Sequence, residues 1–215
     1  MGERQIILWR HGRTSWNAER RFQGQSDIEL DDEGRAQADR AAELLAYLEP
    51  DRIIASDLAR ARATAQALSA RTGVQVRADA RLRETFAGEW EGRSRAELLD
   101  RHGDAVARWA SDSSARPGGG ETRIEVADRV VAAITDGLNE LAESETLVVA
   151  THGGAARAGI GALLELPPEQ WACLGVLSNC AWSILSENST GFGPAWRLQE
   201  YNAGSLPTPA LADDR

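Results

Sequence analysis

The chain contains no lysine: all 24 of its basic residues are arginine. It also has only two cysteines, Cys173 and Cys180, which do not form a CxxC pair. Two cysteines at this spacing exclude a disulfide framework and give no zinc-binding signature. We therefore expect two buried thiols in a reducing compartment.

Long apolar runs and net positive charge are also missing. No stretch approaches the roughly 20 apolar residues of a membrane-spanning helix. The amino terminus passes directly into a strand pattern, with no segment resembling a signal peptide. The formal net charge of -9 disfavours nucleic acid and anionic membranes as partners. We expect a cytoplasmic protein that binds a small anionic metabolite in a local basic pocket.

The patterns that are present alternate between strand and helix. Six short apolar runs predict strands, at residues 6–9, 52–55, 74–76, 147–151, 181–185 and 195–201. Helical patterns separate most of them, including a short one at about 94–109, a long one at about 122–142 and a Gly/Ala-rich one at 154–164. We predict a single α/β domain over residues 1–203, in which residues 85–120 form a pocket wall or lid. Residues 204–215 are expected to be a disordered tail.

Two of the three histidines, His11 and His152, stand where an apolar strand pattern ends in His-Gly. Ligands of open α/β sheets bind outside the carboxyl ends of the strands, so these two histidines could face one substrate. Arg10 directly precedes the first histidine, and Arg62 lies on a helix that follows the strand at 52–55. Guanidinium groups and helix N-termini both bind phosphate. The pattern indicates an enzyme that acts on a phosphorylated metabolite.

Histidine beside arginine is suited to phosphoryl transfer. A neutral imidazole can attack phosphorus and form a phosphohistidine, which divides a difficult transfer into two steps. We expect Arg10, Arg62 and a protonated His152 to stabilise the charge on the transferred group without a metal. The leaving alkoxide needs a proton from a carboxylic acid whose pKa is raised toward neutrality. The candidates lie in LRETFAGEWEG and are Glu84, Glu89 and Glu91.

Four motifs, in this order, resemble the histidine phosphatase superfamily, the phosphoglycerate mutase-like group. They are RHGRT at 10–14 with Trp16-Asn17, SDL at 56–58 leading to Arg62-Ala63, LRE at 82–84, and His152-Gly153. The resemblance covers roughly residues 5–200. It implies a three-layer α/β/α sandwich on a mostly parallel sheet with one antiparallel edge strand.

The resemblance also implies roles for individual residues. His11 would be the nucleophile, His152 would complete the pocket, and Glu84 would donate a proton and then activate water. The phosphate would be bound by a set of residues around them, namely Arg10, Arg62, Asn17, Thr14, Gln23, Gly24 and Gly153. No metal or other cofactor is expected. Arg13 replaces the Glu or Gln that is usual at its position and is expected to add charge at the pocket rim.

Members of this superfamily pass the phosphoryl group either to water or to a second substrate hydroxyl. The PGGGET sequence at 117–122 resembles the phosphatase branch, and Gly154 stands where mutases tend to have Asn. We predict a phosphatase, with phosphoglycerate mutase as the alternative. The C-terminal motifs SNCAWS and AWRL resemble phosphatases that act on glucosyl-3-phosphoglycerate.

Two other functional classes are alternatives. A metal hydrolase needs about three well-spaced ligands, and the sequence has neither HExxH nor clustered Asp and His. A non-catalytic protein that binds phospho-ligands on the same fold should have lost at least one of the five central residues, and all five are present. Resistance of the activity to EDTA would separate the metal hydrolase from the phosphohistidine enzyme.

The remaining notable residues are assigned to structure or to the pocket wall. His102 and the arginines Arg60, Arg93 and Arg116 are expected to be solvated, although Arg93 or Arg116 could reach a second anionic group. Trp9 and Trp182 lie in strand patterns and should be core, whereas Trp90 and Trp109 are candidates for ligand contact. The Trp-bearing C-terminal region fits either the core or the surface of a homodimer.

Overall fold

The computed structural model describes residues 3–204, which form one sheet with helices on both of its faces. The strands are β1 Gln5–Arg10, β2 Arg52–Ala55, β3 Val76–Ala78, β4 Thr146–Thr151, β5 Trp182–Glu187 and β6 Trp196–Ala203. The helices are α1 Ser15–Ala18, α2 Asp32–Ala46, α3 Ala59–Thr72, α4 Arg95–Ser111, α5 Arg123–Asn139 and α6 Gly153–Leu163. The part of the predicted tail from residue 205 onward lies outside the described residues.

The strand order across the sheet is β3-β2-β4-β1-β5-β6. The first four of these strands pair in parallel, β5 runs antiparallel to β1, and β6 runs antiparallel to β5. The carboxyl ends of β1, β2 and β4 therefore meet at one edge of the sheet. The predicted three-layer α/β/α fold on a mostly parallel sheet is confirmed. The antiparallel strand is β5, which lies next to the edge strand β6.

The central strands are continuous apolar runs because helices cover both of their faces. Leu8 and Val149 pack on the side of α5 and α6, while Ile7 and Val148 pack on the side of α2 and α3. All four side chains are fully buried, and each contributes about 1.5–3 kcal/mol by its removal from water. This burial fixes where β1 and β4 end, and so fixes the residues that follow them.

Local signals set the helix boundaries. Asp31 caps α2, because its side chain accepts a hydrogen bond from the backbone N–H of Gly34 at 2.7 Å. Gly73 ends α3 in the left-handed conformation, with a φ of 76°. The strand predicted at 74–76 begins later because Val76 is the first residue that pairs with Ile53.

Trp90 and Trp109, of the excursion between β3 and α5, form a separate small core with Phe22. Phe22, Trp90 and Trp109 meet edge to face, with ring centroids 5.5–5.9 Å apart. Trp90 is buried in this cluster with 3% of its surface exposed, which argues against its predicted ligand contact. Trp9 and Trp182 are buried in the main core, as predicted.

The two cysteines differ in their surroundings. Cys180 is buried, and burial raises the pKa of its thiol to about 12, so it remains protonated at neutral pH. Cys173 is exposed, because it ends a surface turn, and the prediction that both thiols are buried is wrong for this residue.

Membrane association through a spanning helix finds no support within residues 3–204. The helices there are either too short or too polar to cross a bilayer.

Candidate active site

The two histidines predicted to share a substrate face each other at the carboxyl edge of the sheet. They follow β1 and β4, which are neighbours, and Arg10 of β1 pairs with Thr151 of β4. The ring centroids of His11 and His152 are 5.1 Å apart, with an interplanar angle of 60°. Both side chains are almost completely buried. The strand pairing thus brings together two residues 141 positions apart in the sequence.

His11 is held in the tautomer that a nucleophile requires. Its Nδ1 lies 2.7 Å from the carbonyl oxygen of Gly12, so Nδ1–H donates to that oxygen and Nε2 keeps its lone pair. Burial, together with the charges of Arg60 and Arg10, holds the pKa of His11 well below its usual range. The imidazole is therefore neutral and nucleophilic at neutral pH.

Two helices hold the backbone that orients His11. A Cβ atom on Gly12 would lie only 2.3 Å from the carbonyl oxygen of Gly34 in α2, and one on Gly34 would lie 2.0 Å from that of Arg13. These approaches leave room only for glycine at both positions. On the other side, the Gly12 N–H donates to Thr64 Oγ1 of α3 at 3.1 Å.

Arg60 enters the site, whereas Arg62 does not. Arg60 is completely buried, and its Nε donates to Nδ1 of His152 at 3.2 Å. Its terminal nitrogens donate to the carbonyl oxygens of Ser26 and Gly24, each at 2.7 Å. Arg62 is exposed. Side chains two positions apart on a helix point about 200° apart at 3.6 residues per turn, so Arg62 points away from Arg60. The predictions that Arg62 contacts phosphate and that Arg60 is solvated are both wrong.

His152 is neutral, and Ser56 fixes its second nitrogen. Because Arg60 donates to Nδ1, the ring proton resides on Nε2, which lies 2.9 Å from Ser56 Oγ. Burial, followed by the charges of Arg60 and His11, holds the pKa of His152 well below its usual range. The prediction of a protonated His152 is wrong, and the positive charge of the site comes from arginine.

The lowered pKa values of His11 and His152 predict that the fold is sensitive to acid. An unfolded chain titrates these groups near pH 6.5, so below that pH it binds more protons than the folded chain. Stability should therefore be fully present above about pH 6.5 and fall as the pH drops toward the folded pKa values. Denaturant titrations at about pH 7.5 and pH 5.5 measure this difference. The difference in stability between the two pH values should shrink in the His11→Asn/His152→Asn double variant. An undiminished difference would show that these two histidines do not cause the acid sensitivity.

Two buried donors beside His11 have no partner among residues 3–204. They are Nε of Arg10 and Nδ2 of Asn17. The other end of each side chain is fixed, since Arg10 donates to the carbonyl oxygen of Leu177 at 2.6 Å and Oδ1 of Asn17 accepts from Asn179 at 3.3 Å. An unsatisfied buried donor costs about 1–3 kcal/mol. An anion with several acceptor oxygens, such as phosphate, would satisfy both donors.

The predicted residues Thr14, Gln23 and Gly24 lie in the segment between β1 and α2. Thr14 caps α1, and its Oγ1 donates to Gln23 Oε1 at 3.0 Å. Gln23 and Gly24 line a small cleft together with Glu84. Gly24 has a φ of 50°, and a Cβ there would lie 2.1 Å from Oε1 of Glu91.

Two of the three candidate glutamates are not placed at the reacting centre. Glu91 holds the loop after Gly24, because its carboxylate accepts from the N–H of Gln25 at 2.9 Å and from the hydroxyl of Ser26 at 2.8 Å. Glu89 is exposed. Glu84 is thus the glutamate of this segment that reaches the cleft, as the resemblance implied.

Glu84 lies at the N-terminus of α6. Its carboxylate accepts from the backbone N–H groups of Gly154 and Ala155, both at 2.9 Å, and of Thr85 at 2.8 Å. A Cβ on Gly154 would lie 2.7 Å from Oε1 of Glu84, so glycine at 154 lets the carboxylate approach the helix this closely. Three N–H donors and the helix dipole stabilise the ionised carboxylate. The protonated acid expected from the sequence is not the form that these contacts stabilise.

Arg129 of α5 holds the segment that carries Glu84, and the sequence analysis missed it. Its guanidinium donates to the carbonyl oxygens of Arg81, Arg83 and Glu84 at 2.6–2.9 Å. It also pairs with Glu121 at 2.8 Å. Other residues that received no role from the sequence are Ser56, Thr64 and Asn179, each of which hydrogen-bonds a residue of the site.

Two further residues adjoin the predicted histidines. Gly153 is buried as the first residue of α6 and directly follows His152. Arg13 donates from Nε to Asp31 at 2.9 Å, and both side chains are partly exposed. Its charge is therefore paired with Asp31, the N-cap residue of α2.

A small cleft lies beside Glu84 and the N-terminus of α6. Glu84 and Gly154 line one side of it, and Gln23 and Gly24 line another. The excursion at 85–120 contributes Thr85, Ala87, Trp109 and Pro117 to its walls.

Comparison with known proteins agrees with this geometry. The sequence model of the histidine phosphatase superfamily (branch 1) matches residues 6–203. A glucosyl-3-phosphoglycerate phosphatase of Mycobacterium tuberculosis is 40% identical, over 95% of this chain and 97% of its own. A probable phosphoglycerate mutase of Citrobacter koseri is 35% identical, over 96% and 97%. A solved mycobacterial glucosyl-3-phosphoglycerate phosphatase in complex with VO3 has a TM-score of 0.88 at 40% identity, covering 94% of this chain and 100% of that chain. The chain belongs to branch 1 of the histidine phosphatase superfamily, as its motifs predicted.

Proposed function

We propose that this phosphatase hydrolyses the phosphomonoester of glucosyl-3-phosphoglycerate through a phosphohistidine at His11. The observation that carries the proposal is the neutral His11 beside two buried donors, Arg10 Nε and Asn17 Nδ2, that have no partner within residues 3–204. A phosphoryl group supplies acceptors for both donors and an electrophile for the imidazole. Arg60 adds a second fixed positive charge.

In the first step, Nε2 of His11 attacks phosphorus and the bond from phosphorus to the ester oxygen breaks. Negative charge is spread over the three equatorial oxygens of the transferred group. Arg10, Arg60 and the Asn17 amide stabilise that charge from fixed positions, so no reorganisation is needed at the moment of reaction.

Glu84 acts as the general acid in the first step and as the general base in the second. A phosphate dianion in the cleft disfavours a second negative charge nearby, so Glu84 takes up a proton as the substrate binds. It gives that proton to the leaving ester oxygen and becomes a carboxylate. The same carboxylate then accepts a proton from the water that attacks the phosphohistidine, which breaks the bond from nitrogen to phosphorus and restores His11.

The chemistry of the proposed substrate separates phosphatase from mutase. 3-Phosphoglycerate has a single free hydroxyl, and a glucoside of it occupies that hydroxyl. The phosphoryl group of glucosyl-3-phosphoglycerate therefore has no hydroxyl on the glycerate to move to, which excludes the mutase reaction within the glycerate, and water is the acceptor in the proposed reaction. The curated relative with this substrate in its name matches more closely than the named mutase.

Phosphate release by EDTA-treated enzyme tests the proposal. The substrates are glucosyl-3-phosphoglycerate, 3-phosphoglycerate and p-nitrophenyl phosphate, and His11→Ala is the blank. We expect EDTA-resistant release that is fastest from the glucosylated substrate. Loss of activity with EDTA would instead favour a metal hydrolase. Formation of 2-phosphoglycerate from 3-phosphoglycerate would favour the mutase.

Several sequence predictions belong with this proposal. The partner is a small phosphorylated metabolite rather than nucleic acid or a membrane, in keeping with the acidic net charge. A cytoplasmic location, a homodimer and the single domain over 1–203 stay predictions.

A further inference from the structure

The cleft beside Glu84 adjoins a second, outer cavity. The two share Trp109, Arg123 and Arg157 as lining residues. The outer cavity has a volume of about 210 Å³, which corresponds to about seven water molecules in the liquid. It is therefore large enough for a substituent of the substrate rather than for solvent alone.

Arg157 lies at the junction of the two cavities. It is on α6, three residues after Gly154, so it shares a helix face with the residue whose N–H holds Glu84. Its side chain is half-buried, and within residues 3–204 no hydrogen bond or ion pair engages its guanidinium. Most arginines around the site are paired, as Arg83 is with Asp57 and Arg129 with Glu121. An unpaired fork of donors at this place suits a carboxylate of the ligand.

Arg123 has a different part in the same wall. Its guanidinium lies over the Trp109 ring at 4.5 Å and donates to the Trp109 carbonyl oxygen at 2.5 Å. Arg123 thus fixes Trp109, while Arg157 is left to meet the ligand.

The walls of the outer cavity suit a group that carries several hydroxyls. Trp109 is 6% exposed, and its indole N–H has no partner among the described residues. Glu169 supplies an exposed carboxylate as acceptor, Ser111 a hydroxyl, and Trp171 an aromatic surface. Buried indole N–H groups usually find a partner, and a ligand hydroxyl would provide one here.

We propose that Arg157 binds a carboxylate of the substrate and that the outer cavity binds a sugar attached next to that carboxylate. This inference rests on the proposed function and deepens it, because it assigns a place to each part of the substrate. The phosphate lies at His11, the carboxylate at Arg157 and the sugar between Trp109 and Trp171. Arg157 is then a specificity-determining residue that does not take part in the chemical steps.

The test compares 3-phosphoglycerate with glycerol 3-phosphate, which has a hydroxymethyl group in place of the carboxylate. In Arg157→Gln, kcat/KM for 3-phosphoglycerate should fall about tenfold to a hundredfold, as for loss of a charged hydrogen-bonded pair. Turnover of glycerol 3-phosphate should stay within about twofold of the wild type. Arg40→Gln removes the same charge from an exposed position on α2, on the other face of the sheet. This control variant should change turnover of neither substrate.

Two further variants keep the inference falsifiable if Arg157→Gln folds poorly. Arg157→Lys keeps the charge but not the fork, and should retain an intermediate preference for 3-phosphoglycerate. Trp109→Phe removes the indole N–H, and should reduce the advantage of glucosyl-3-phosphoglycerate over 3-phosphoglycerate. Turnover of p-nitrophenyl phosphate shows in each variant that phosphoryl transfer is intact.

The outcomes separate this inference from the proposed function. An equal loss on 3-phosphoglycerate and glycerol 3-phosphate, or an unchanged preference in Arg157→Gln, overturns the carboxylate site while leaving the phosphatase in place. If the wild-type protein turns over none of these phosphomonoesters, the proposed function fails, and the subsite fails with it.

Discussion

Arg60→Ala should lower kcat/KM by on the order of a thousandfold, while Arg62→Ala should change it by less than about twofold. Arg60 is buried against His152, and its charge contributes to holding both histidines neutral. Arg62 is exposed on the opposite side of the same helix. The two variants remove the same group two residues apart, so each is the control for the other. Steady-state turnover of p-nitrophenyl phosphate measures the difference.

The stability of the Arg60 variant has to be followed in the same experiment. Loss of the Arg60 guanidinium leaves the carbonyl oxygens of Ser26 and Gly24 without their donors, which should lower the melting temperature as well. Arg60→Lys keeps a positive charge but cannot reach all three partners, and should fall between wild type and Arg60→Ala. An inactive Arg62→Ala beside an active Arg60→Ala would restore the assignment made from the sequence.

Glu84→Gln should slow hydrolysis of alkyl phosphates by about a hundredfold to ten-thousandfold, and that of p-nitrophenyl phosphate much less. An alkoxide is a poor leaving group that needs a proton as the ester bond breaks, whereas p-nitrophenolate barely needs one. Glutamine keeps the size of the side chain but cannot donate that proton as an acid. The ratio of kcat/KM on glycerol 3-phosphate to that on p-nitrophenyl phosphate measures the effect.

Glu89→Gln provides the matched control for this experiment. Glu89 belongs to the same segment but is exposed, so neither substrate should be affected. An equal loss on both substrates in Glu84→Gln would remove Glu84 from the acid role. It would leave Glu84 with the structural role of holding the N-terminus of α6, through Gly154 and Ala155.

The location of His11 and His152 could be predicted because it depends on strand ends. Each follows a run of apolar residues that must be buried between helices, and parallel strands bring their carboxyl ends to one edge. The alternation of strand and helix patterns predicted an α/β domain, and the family resemblance implied its three-layer arrangement. Burial of β1 and β4 decides these features, and burial is visible as a continuous apolar pattern.

The misassignment of Arg62 shows a limit of motif spacing as evidence. The apolar residues of the buried face of α3 are Ala61, Ala65 and Leu68. At 100° per residue, Arg60 and Arg62 lie on either side of Ala61, so this apolar stripe alone does not separate them. The buried face extends toward Arg60 through Thr64, a polar residue whose burial the apolar pattern does not reveal.

Other features of the site depend on contacts that no local pattern reveals. Arg129 reaches three carbonyl oxygens more than 40 residues away, and Arg13 pairs with the cap of a different helix. The neutral state of His152 follows from its burial and from the charge of Arg60, which is 92 residues distant. Protonation and pairing of this kind depend on tertiary distances, so the sequence alone could not predict them.

Trapping of the phosphoenzyme tests the central claim most directly. EDTA-treated protein is mixed with p-nitrophenyl phosphate, quenched within the first turnover, and digested for mass spectrometry under conditions that preserve phosphohistidine. The account predicts a phosphoryl group on the His11 peptide that disappears on further turnover and never forms in His11→Ala. Phosphate release without this adduct, or an adduct on His152 instead, would contradict it.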